Sequence, residues 1–517
     1  MSATLVDERE FLAMMQTRMG PMLSLLLYLS KCESPASVLT RPFLGSLLSE
    51  AVQLEEVLDS YDAGKNRAWS HARSLTAAVK TFADASYELL HIRHRLPNYR
   101  LLPVQRDFAT ATDDVLGFLG HILSNVARET VVEAGVLGLT IPQGDDVPRK
   151  YAEPMLKGHL PHDGGTRLAE TGSDMVAETV TTLATEFLNL ASSSEDVRAA
   201  SRARPEDYDL CLTASLREES LRNLELRFHN LQSQYDTYVS GTQVESQDTD
   251  LPVLRGQASV VFHLLKIATL FAHFYERHVN KSPAPSPEAG KPLVERQELL
   301  YSLMKYAITF IDQYIGCTIS LCQEMLKRYA EEGQVEVSIP KYRGFHVRPS
   351  TLVSKLVLHY GSRVRMHLGD ETYDAGSSLD LFRANEQINA QKRRWLAQEI
   401  VRLGLVPENP NPPDVVGLVR NVILMLAAKG KLVLYEQPLQ LPDRLCPTEG
   451  TALEKVTSET GRLLAMGKID IGTDITATFT GDTRVLEDIR LLAQHGYGED
   501  SFGNNIALPD KLAYLRR

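Results

Sequence analysis

Residues 343–350 read Arg-Gly-Phe-His-Val-Arg-Pro-Ser, and they mark the place where the chain changes its architecture. Before them, apolar residues recur at three- and four-residue spacing, which is typical of amphipathic helices. After Pro349, the apolar residues again follow one helical face as far as Gly361. Proline suits the first turn of a helix because its missing N–H would have no partner there. The stretch therefore predicts a helix that begins near Pro349.

The start of that helix is suited to an anion. Free backbone N–H groups and the positive end of the helix dipole lie together there. The imidazole of His346 is nucleophilic when neutral, and the guanidinium of Arg348 can bind two phosphate oxygens at once. Pro349, Ser350 and Thr351 are the expected first helical turn, which would stabilise the phosphate. This pattern predicts a histidine that accepts a phosphoryl group; the alternative is a histidine that only caps the helix or lies on the surface.

Length and composition indicate a globular protein of several domains. The 517 residues exceed what one ordinary core contains, and the net charge of −11 argues against a nucleic-acid binder. The five cysteines are scattered, which favours a reducing compartment. The most apolar stretches, near 258–273 and 303–326, carry polar interruptions and are shorter than a bilayer requires. We expect a cytoplasmic protein without a membrane span, metal or cofactor.

The first two thirds of the chain predict helices. Their ranges are 7–31, 41–62, 67–95, 105–138, 167–194, 206–240, 254–280 and 293–332. Within the all-helical region 1–280, the segment 139–166 is rich in proline, glycine and charge and predicts a loop or an internal boundary. Its His159, His162 and Asp163 predict a polar loop rather than a metal site, because a proline separates the histidines and no further ligand is near. Residues 281–292 hold four prolines and predict a linker.

Strand-like alternation begins after the helix 293–332. Residues 334–339 alternate apolar and polar side chains, which predicts a half-buried strand. The segments 364–368 and 371–375 predict a hairpin. A second helix begins at Ser377 or Ser378, and either serine suits the N-cap. The local order is therefore β-α-β-β-α.

The motif Gly-Phe-His-Val-Arg-Pro at 344–349 resembles the phosphorylation site of HPr, the histidine-containing phosphocarrier of the bacterial phosphotransferase system. The resemblance implies an open-faced α/β sandwich that carries phosphate on a ring nitrogen of His346. Arg348 and the amides of the next helical turn would stabilise it. The resemblance also implies a regulatory serine at the start of the second helix, where Ser377 is the ungapped match and Ser378 its neighbour.

The closing strand and helix of that family come late in this chain. Residues 475–482 alternate as a strand, and residues 483–493 have helical period. We therefore predict one domain built from 334–385 and 470–496, interrupted by an insertion at 386–469. The insertion predicts helices near 386–404, 413–429 and 449–466 and a strand at 431–435. The glycine-rich tail 497–517 predicts an ordered turn.

The expected protein is multidomain and mainly α, with a helical region followed by an interrupted HPr-like domain. The expected function is phosphoryl acceptance at His346, in a regulatory role rather than as a free carrier for sugar transport. The resemblance implies an enzyme I-like donor, charged from phosphoenolpyruvate, and an unidentified protein acceptor. Asp380 and Arg383 depart from the apolar docking face of the family. The alternative is an HPr-like fold that serves as a structural or protein-binding module without phosphotransfer.

Overall fold

Helices predominate in this computed structural model, as the apolar periodicity predicts. The structure describes residues 5–142, 150–153, 173–279, 293–407, 414–435, 439, 441, 450–472, 474–500 and 503–516. The predicted linker 281–292 lies outside the described residues. So does most of the segment 139–166, including His159, His162 and Asp163.

The chain forms two compact units, Met1–Cys322 and Gln323–Arg517. The boundary between the units falls inside one helix, Thr309–Arg328. The helices up to that point are α1 (Glu8–Ser30), α2 (Pro35–Val38), α3 (Arg41–Ser60), α4 (Ser70–Arg95), α5 (Phe108–Val136), α6 (Ser173–Ser193), α7 (Glu195–Ala200), α8 (Tyr208–Ala214), α9 (Glu218–Tyr238), α10 (Gln243–Gln247), α11 (Leu251–Phe274), α12 (Arg296–Ser302) and α13 (Thr309–Arg328).

Two of the predicted helices differ from the structure. The predicted helix 206–240 is two helices, α8 and α9, because the chain turns between them. At the start of α9, the N–H of Glu218 donates to Oε1 of Glu276 at 2.9 Å. The range 293–332 contains a π-helical segment, Leu303–Ile308, and α13 ends at Arg328. Residues 332 and 333 belong instead to a strand that pairs with Asp482 and Gly481. Sheet pairing thus takes over where the helical pattern was expected to continue.

The core of the larger unit lies around α4 and α11. α4 packs against α3, α5 and α11, and α11 also packs against α9. Phe82 and Phe274 meet at this centre with ring centroids 4.6 Å apart. Among the described helices, Leu251–Val279 is long and apolar enough to cross a membrane, but 78% of its apolar window is buried. A core helix has this same composition, so its apolar character does not require a membrane.

A buried polar cluster joins α4 to α11. Nδ1 of His263 donates to Oε2 of Glu88 at 2.7 Å, and the Lys266 ammonium binds the other oxygen of the same carboxylate. Lys266 also lies 3.1 Å from Oδ1 of Asp84. Burial raises the pKa of Glu88, but the hydrogen bond from His263 and the charges of His263 and Lys266 outweigh burial and bring that pKa to about 2.

The variant Glu88→Gln is expected to lower the free energy of unfolding of the larger unit at neutral pH. The folded-state pKa of Glu88 lies below its unfolded value, so its stabilisation is complete above about pH 4.5 and is lost as the pH falls towards 2. The difference in unfolding free energy between variant and wild type should therefore shrink as the pH falls from about 4.5 towards 2. Denaturant unfolding at several pH values, followed by Trp69 fluorescence in a Trp395→Phe background, measures it. A difference that does not depend on pH would contradict this account.

The smaller unit contains all six strands of the described residues. Its elements are β1 (Glu332–Ser338), α14 (Val347–Tyr360), β2 (Arg365–Leu368), β3 (Glu371–Asp374), α15 (Ser378–Arg402), α16 (Val415–Ala428), β4 (Val433–Leu434), α17 (Ala452–Ala465), β5 (Ile469–Asp470), β6 (Thr476–Asp482) and α18 (Thr483–Gln494). Four strands form one antiparallel sheet in the order β1-β6-β2-β3, and β4 pairs with β5.

The four-stranded sheet joins distant parts of the chain. β6 lies between β1 and β2, with Val337 opposite Ala477 and Met366 opposite Phe479. These four side chains are buried. His367, the next residue along β2, points to the other face and forms hydrogen bonds with Thr372 and Thr480, each at 3.0 Å. Helix α18 packs on β1 and β6, and α15 packs on β3 and α14. One face of the sheet is thus covered by helices.

One helix crosses the predicted border between domain and insertion. The sequence predicts a second helix from Ser377 or Ser378 and a separate insertion helix at 386–404, but α15 runs unbroken from Ser378 to Arg402. No glycine or proline lies in this range, so nothing in the backbone ends the helix at residue 385. Its second half packs Leu396 and Ile400 into a separate apolar cluster with α16 and α17. α15 therefore serves both parts of the smaller unit.

Candidate functional site

The loop before His346 turns sharply at two consecutive residues. Arg343 and Gly344 both have left-handed backbones, with φ of 55° and 58°. The side chain of Asn385 on α15 holds this turn, since its Oδ1 accepts the N–H of Phe345 at 2.7 Å. A Cβ on residue 344 would lie 2.3 Å from that oxygen. Only glycine therefore allows this approach between loop and helix.

A buried ion pair fixes the other side of the loop. Asp470 on β5 accepts the backbone N–H of Arg343, and its Oδ1 accepts from Nζ of Lys392 at 2.8 Å. The Lys392 side chain is fully buried. The Arg343 guanidinium lies over the ring of Tyr435, 4.2 Å from its centroid. Lys392 and Tyr435 of the predicted insertion, together with Asp470 at the start of the predicted second half-domain, thus hold the loop that carries the histidine.

His346 is the N-cap of α14, which begins at Val347, two residues before the predicted start near Pro349. Its backbone is extended, and its side chain makes no capping hydrogen bond. The N–H of Ser350 donates to the carbonyl of His346 at 3.1 Å. Among the described residues, no acceptor binds the N–H groups of Val347 and Arg348. These two amides at the positive end of the helix dipole remain available to an anion.

The hydroxyl groups of the first turn are used inside the helix. Ser350 is buried, and its Oγ donates to the carbonyl of His346 at 2.7 Å. Thr351 Oγ1 donates to the carbonyl of Val347 at 2.6 Å. Of the predicted phosphate-stabilising residues Pro349, Ser350 and Thr351, the two hydroxyls therefore bind backbone carbonyls in this structure. At the helix start, the backbone amides of Val347 and Arg348 and the Arg348 side chain are the groups that an anion can bind.

A carboxylate from the C-terminal tail contacts His346. Nε2 of His346 lies 2.8 Å from Oε2 of Glu499, whose side chain is 13% exposed. A carboxylate only accepts hydrogen bonds, so in the neutral form of the ring the proton sits on Nε2 and the lone pair on Nδ1. Nδ1 makes no hydrogen bond to any described residue. The imidazole thus has one nitrogen held by protein and one nitrogen in the nucleophilic form.

Arg348 has an unused donor beside this pair. Its Nη1 donates to Oδ1 of Asn505, and its Nε lies 3.9 Å from Oε1 of Glu499, too far for a hydrogen bond. This Nε is buried and has no hydrogen-bond partner among the described residues. A buried guanidinium N–H without an acceptor is costly and suits a ligand oxygen.

The tail residues were missed by the sequence prediction. The tail 497–517 was expected to form a separate ordered turn, yet Glu499 and Asn505 reach His346 and Arg348. Asn385 and Asp470, which position the loop, were also not predicted. Nothing in the local sequence of these four residues points to the site, because each acts across a long stretch of chain.

The serine predicted as a regulatory site has a defined position. Ser377 is the N-cap of α15, and its Oγ accepts the N–H of Asp380 at 3.2 Å. Ser378 is the first helical residue and is exposed. The structure thus distinguishes the two serines: Ser377 caps the helix and Ser378 does not.

Apolar side chains are exposed at the starts of both helices. Val347 on α14 is 73% exposed, and Leu379 and Phe382 on α15 are 68% and 48% exposed. Asp380 and Arg383 are sequence neighbours of these two residues on α15 and pair at 3.4 Å. The α15 surface near the histidine therefore mixes apolar groups with one ion pair.

Comparison with protein-family models, with curated proteins and with solved structures finds no match. Among the described residues, no group of three His, Cys, Asp or Glu side chains could hold a metal ion.

Proposed function

We propose that this chain is an HPr-like phosphoryl-accepting protein in which His346 is transiently phosphorylated by a phosphoenolpyruvate-derived donor. The observation that carries the proposal is the group formed by His346, Arg348 and the uncapped start of α14. It combines a nucleophilic ring nitrogen, a guanidinium with a buried unpaired N–H, and two unpaired amides. Phosphoryl transfer requires mainly such positioning and charge stabilisation.

The architecture around the site supports the resemblance to HPr. β1, α14, β2, β3 and α15 follow one another along the chain, β6 completes the same sheet, and α18 packs on it. The order matches the strands and helices that the resemblance implies, with the insertion placed between α15 and β6. The exposed Val347 and Phe382 offer apolar surface to a protein donor, while the ion pair of Asp380 and Arg383 would change which donor is recognised.

The role we propose is regulatory. A freely diffusing carrier for sugar transport would not need the larger helical unit. A phosphoryl group adds charge and three acceptor oxygens at the start of α14, and such a change alters contacts made with a partner. The acceptor is an unidentified protein.

A second candidate is supported by the tail. Glu499 and Asn505 already bind the two predicted catalytic side chains, so His346 and Arg348 are part of an intramolecular network. In this alternative the HPr-like fold is a protein-binding module without phosphotransfer, and the network only holds the tail. The two candidates differ in whether His346 reacts.

A labelling experiment tests the proposal. The full chain is incubated with radiolabelled phosphoenolpyruvate and enzyme I, and separately with phosphoramidate, which needs no protein partner. We expect acid-labile, alkali-stable phosphate on a peptide that contains His346. The variant His346→Ala should lose the label completely, while His367→Ala, a histidine of the same sheet, should keep it. Absence of labelling from both donors would favour the binding module.

A further inference from the structure

The tail segment that carries Glu499 is firmly anchored beside the site. Tyr497 is buried, meets the Phe345 ring edge-on at 5.7 Å, and its hydroxyl donates to the carbonyl of Ser338 at 2.8 Å. The backbone of Tyr497 is left-handed, with φ of 55°, which an L-residue adopts only when its surroundings enforce it. Glu499 and Asn505 are joined by an antiparallel bridge. The Glu499 carboxylate is thus presented by a fixed backbone.

The Glu499 carboxylate binds Nε2 of His346, the ring nitrogen that would not be phosphorylated. Its oxygen lies on Nε2, and the two nitrogens of an imidazole face different directions, so Nδ1 stays open. The contact fixes the tautomer and the orientation of the ring, as the partner of a metal-bound or catalytic histidine does. Nε of Arg348 lies 3.9 Å from the other carboxylate oxygen, so the two charges attract each other without a hydrogen bond.

We infer that Glu499 is a positioning residue for phosphoryl transfer at His346. The inference rests on the proposed function. As the lone pair of Nδ1 forms the N–P bond, the bond between phosphorus and the donor atom breaks, and its electron pair leaves with the donor. The Nε2 proton stays in place, so the ring gains positive charge, which the Glu499 carboxylate stabilises. On transfer to the acceptor, the electron pair of the N–P bond returns to Nδ1.

The test begins with the unphosphorylated chain. A hydrogen-bonded and shielded imidazole N–H exchanges slowly with water, so the Nε2 proton of His346 should give a downfield NMR signal coupled to ring nitrogen. Glu499→Ala should lose this signal, whereas Glu499→Gln, which retains an acceptor, should keep it. Persistence of the signal in Glu499→Ala would overturn the assigned contact. No phosphorylation is needed for this measurement.

The second measurement is the rate of labelling by phosphoramidate. Glu499→Gln keeps the hydrogen bond but loses the negative charge that stabilises the phosphorylated ring, and its rate should fall about 10- to 100-fold, the loss that follows removal of the carboxylate partner of a metal-bound histidine. Asp510→Ala, which removes an exposed carboxylate of the same tail, should label at the wild-type rate. Equal rates for Glu499→Gln and wild type would overturn the role of Glu499 but would leave the proposed phosphorylation of His346 standing. Absence of label in the wild type would instead overturn the proposed function.

Discussion

Asp470→Ala is expected to destabilise the smaller unit by about 3–5 kcal/mol, because it leaves the ammonium of Lys392 buried without its counter-charge. The Lys392 side chain is fully buried and lies 2.8 Å from Oδ1 of Asp470. The same substitution removes the acceptor of the Arg343 N–H. We therefore expect a lower rate of phosphoramidate labelling as well, since the loop before His346 loses one of its two supports.

The stability of the smaller unit can be measured separately. The chain has two tryptophans, and Trp395 lies in the smaller unit, so Trp69→Phe leaves a single reporter for denaturant unfolding. The matched control is Glu487→Ala, an exposed carboxylate 3.9 Å from Lys511, which should change stability by less than about 1 kcal/mol. Adding Lys392→Met to Asp470→Ala should restore part of the loss, because no buried charge then remains. A loss no greater than that of Glu487→Ala would contradict the assigned pair.

Gly344→Ala is the second substitution with a large expected effect. Alanine in a left-handed backbone costs about 1–2 kcal/mol. In addition, its Cβ would lie 2.3 Å from Oδ1 of Asn385, so this side chain must move and release the N–H of Phe345. A buried donor without a partner costs about 1–3 kcal/mol more. We expect a total of about 3 kcal/mol and a distorted site.

Gly404 supplies the control for this substitution. It has a φ of 57°, close to that of Gly344, but no atom lies within 4 Å of its added Cβ. Gly404→Ala should therefore show only the backbone cost, and the single-tryptophan unfolding experiment compares the two variants directly. Labelling by phosphoramidate should slow in Gly344→Ala and stay unchanged in Gly404→Ala. Equal losses of stability would show that Asn385 does not constrain the loop.

Local patterns predicted the elements of the site region well. The alternation at 475–482 corresponds to β6, Thr476–Asp482, and the helix expected near Pro349 is α14, Val347–Tyr360. The choice between two N-cap serines was left open, and Ser377 is the cap. These features depend on neighbouring residues, through burial on one face and the hydrogen bonds of a helix start. They can therefore be read from a short window.

The borders between parts of the chain were predicted less well. The sequence placed the end of the first half-domain at residue 385, following the HPr resemblance, but α15 continues to Arg402 because no residue breaks it. The helix before β1 ends earlier than its pattern indicates, since β6 pairs with residues 332 and 333. Both differences arise where a neighbouring element, rather than the local sequence, sets the end of a helix or strand.

By itself, the sequence determined that a histidine and an arginine stand at a helix start just after the first strand that follows a long helical region. Only the tertiary structure decided what surrounds them. Glu499, Asn505, Asn385 and Asp470 reach the site from the tail, from α15 and from β5. A hydrogen bond between residues so far apart along the chain leaves no periodic or compositional pattern. It exists because the sheet order brings β6, and with it α18 and the tail, beside β1 and the loop that follows it.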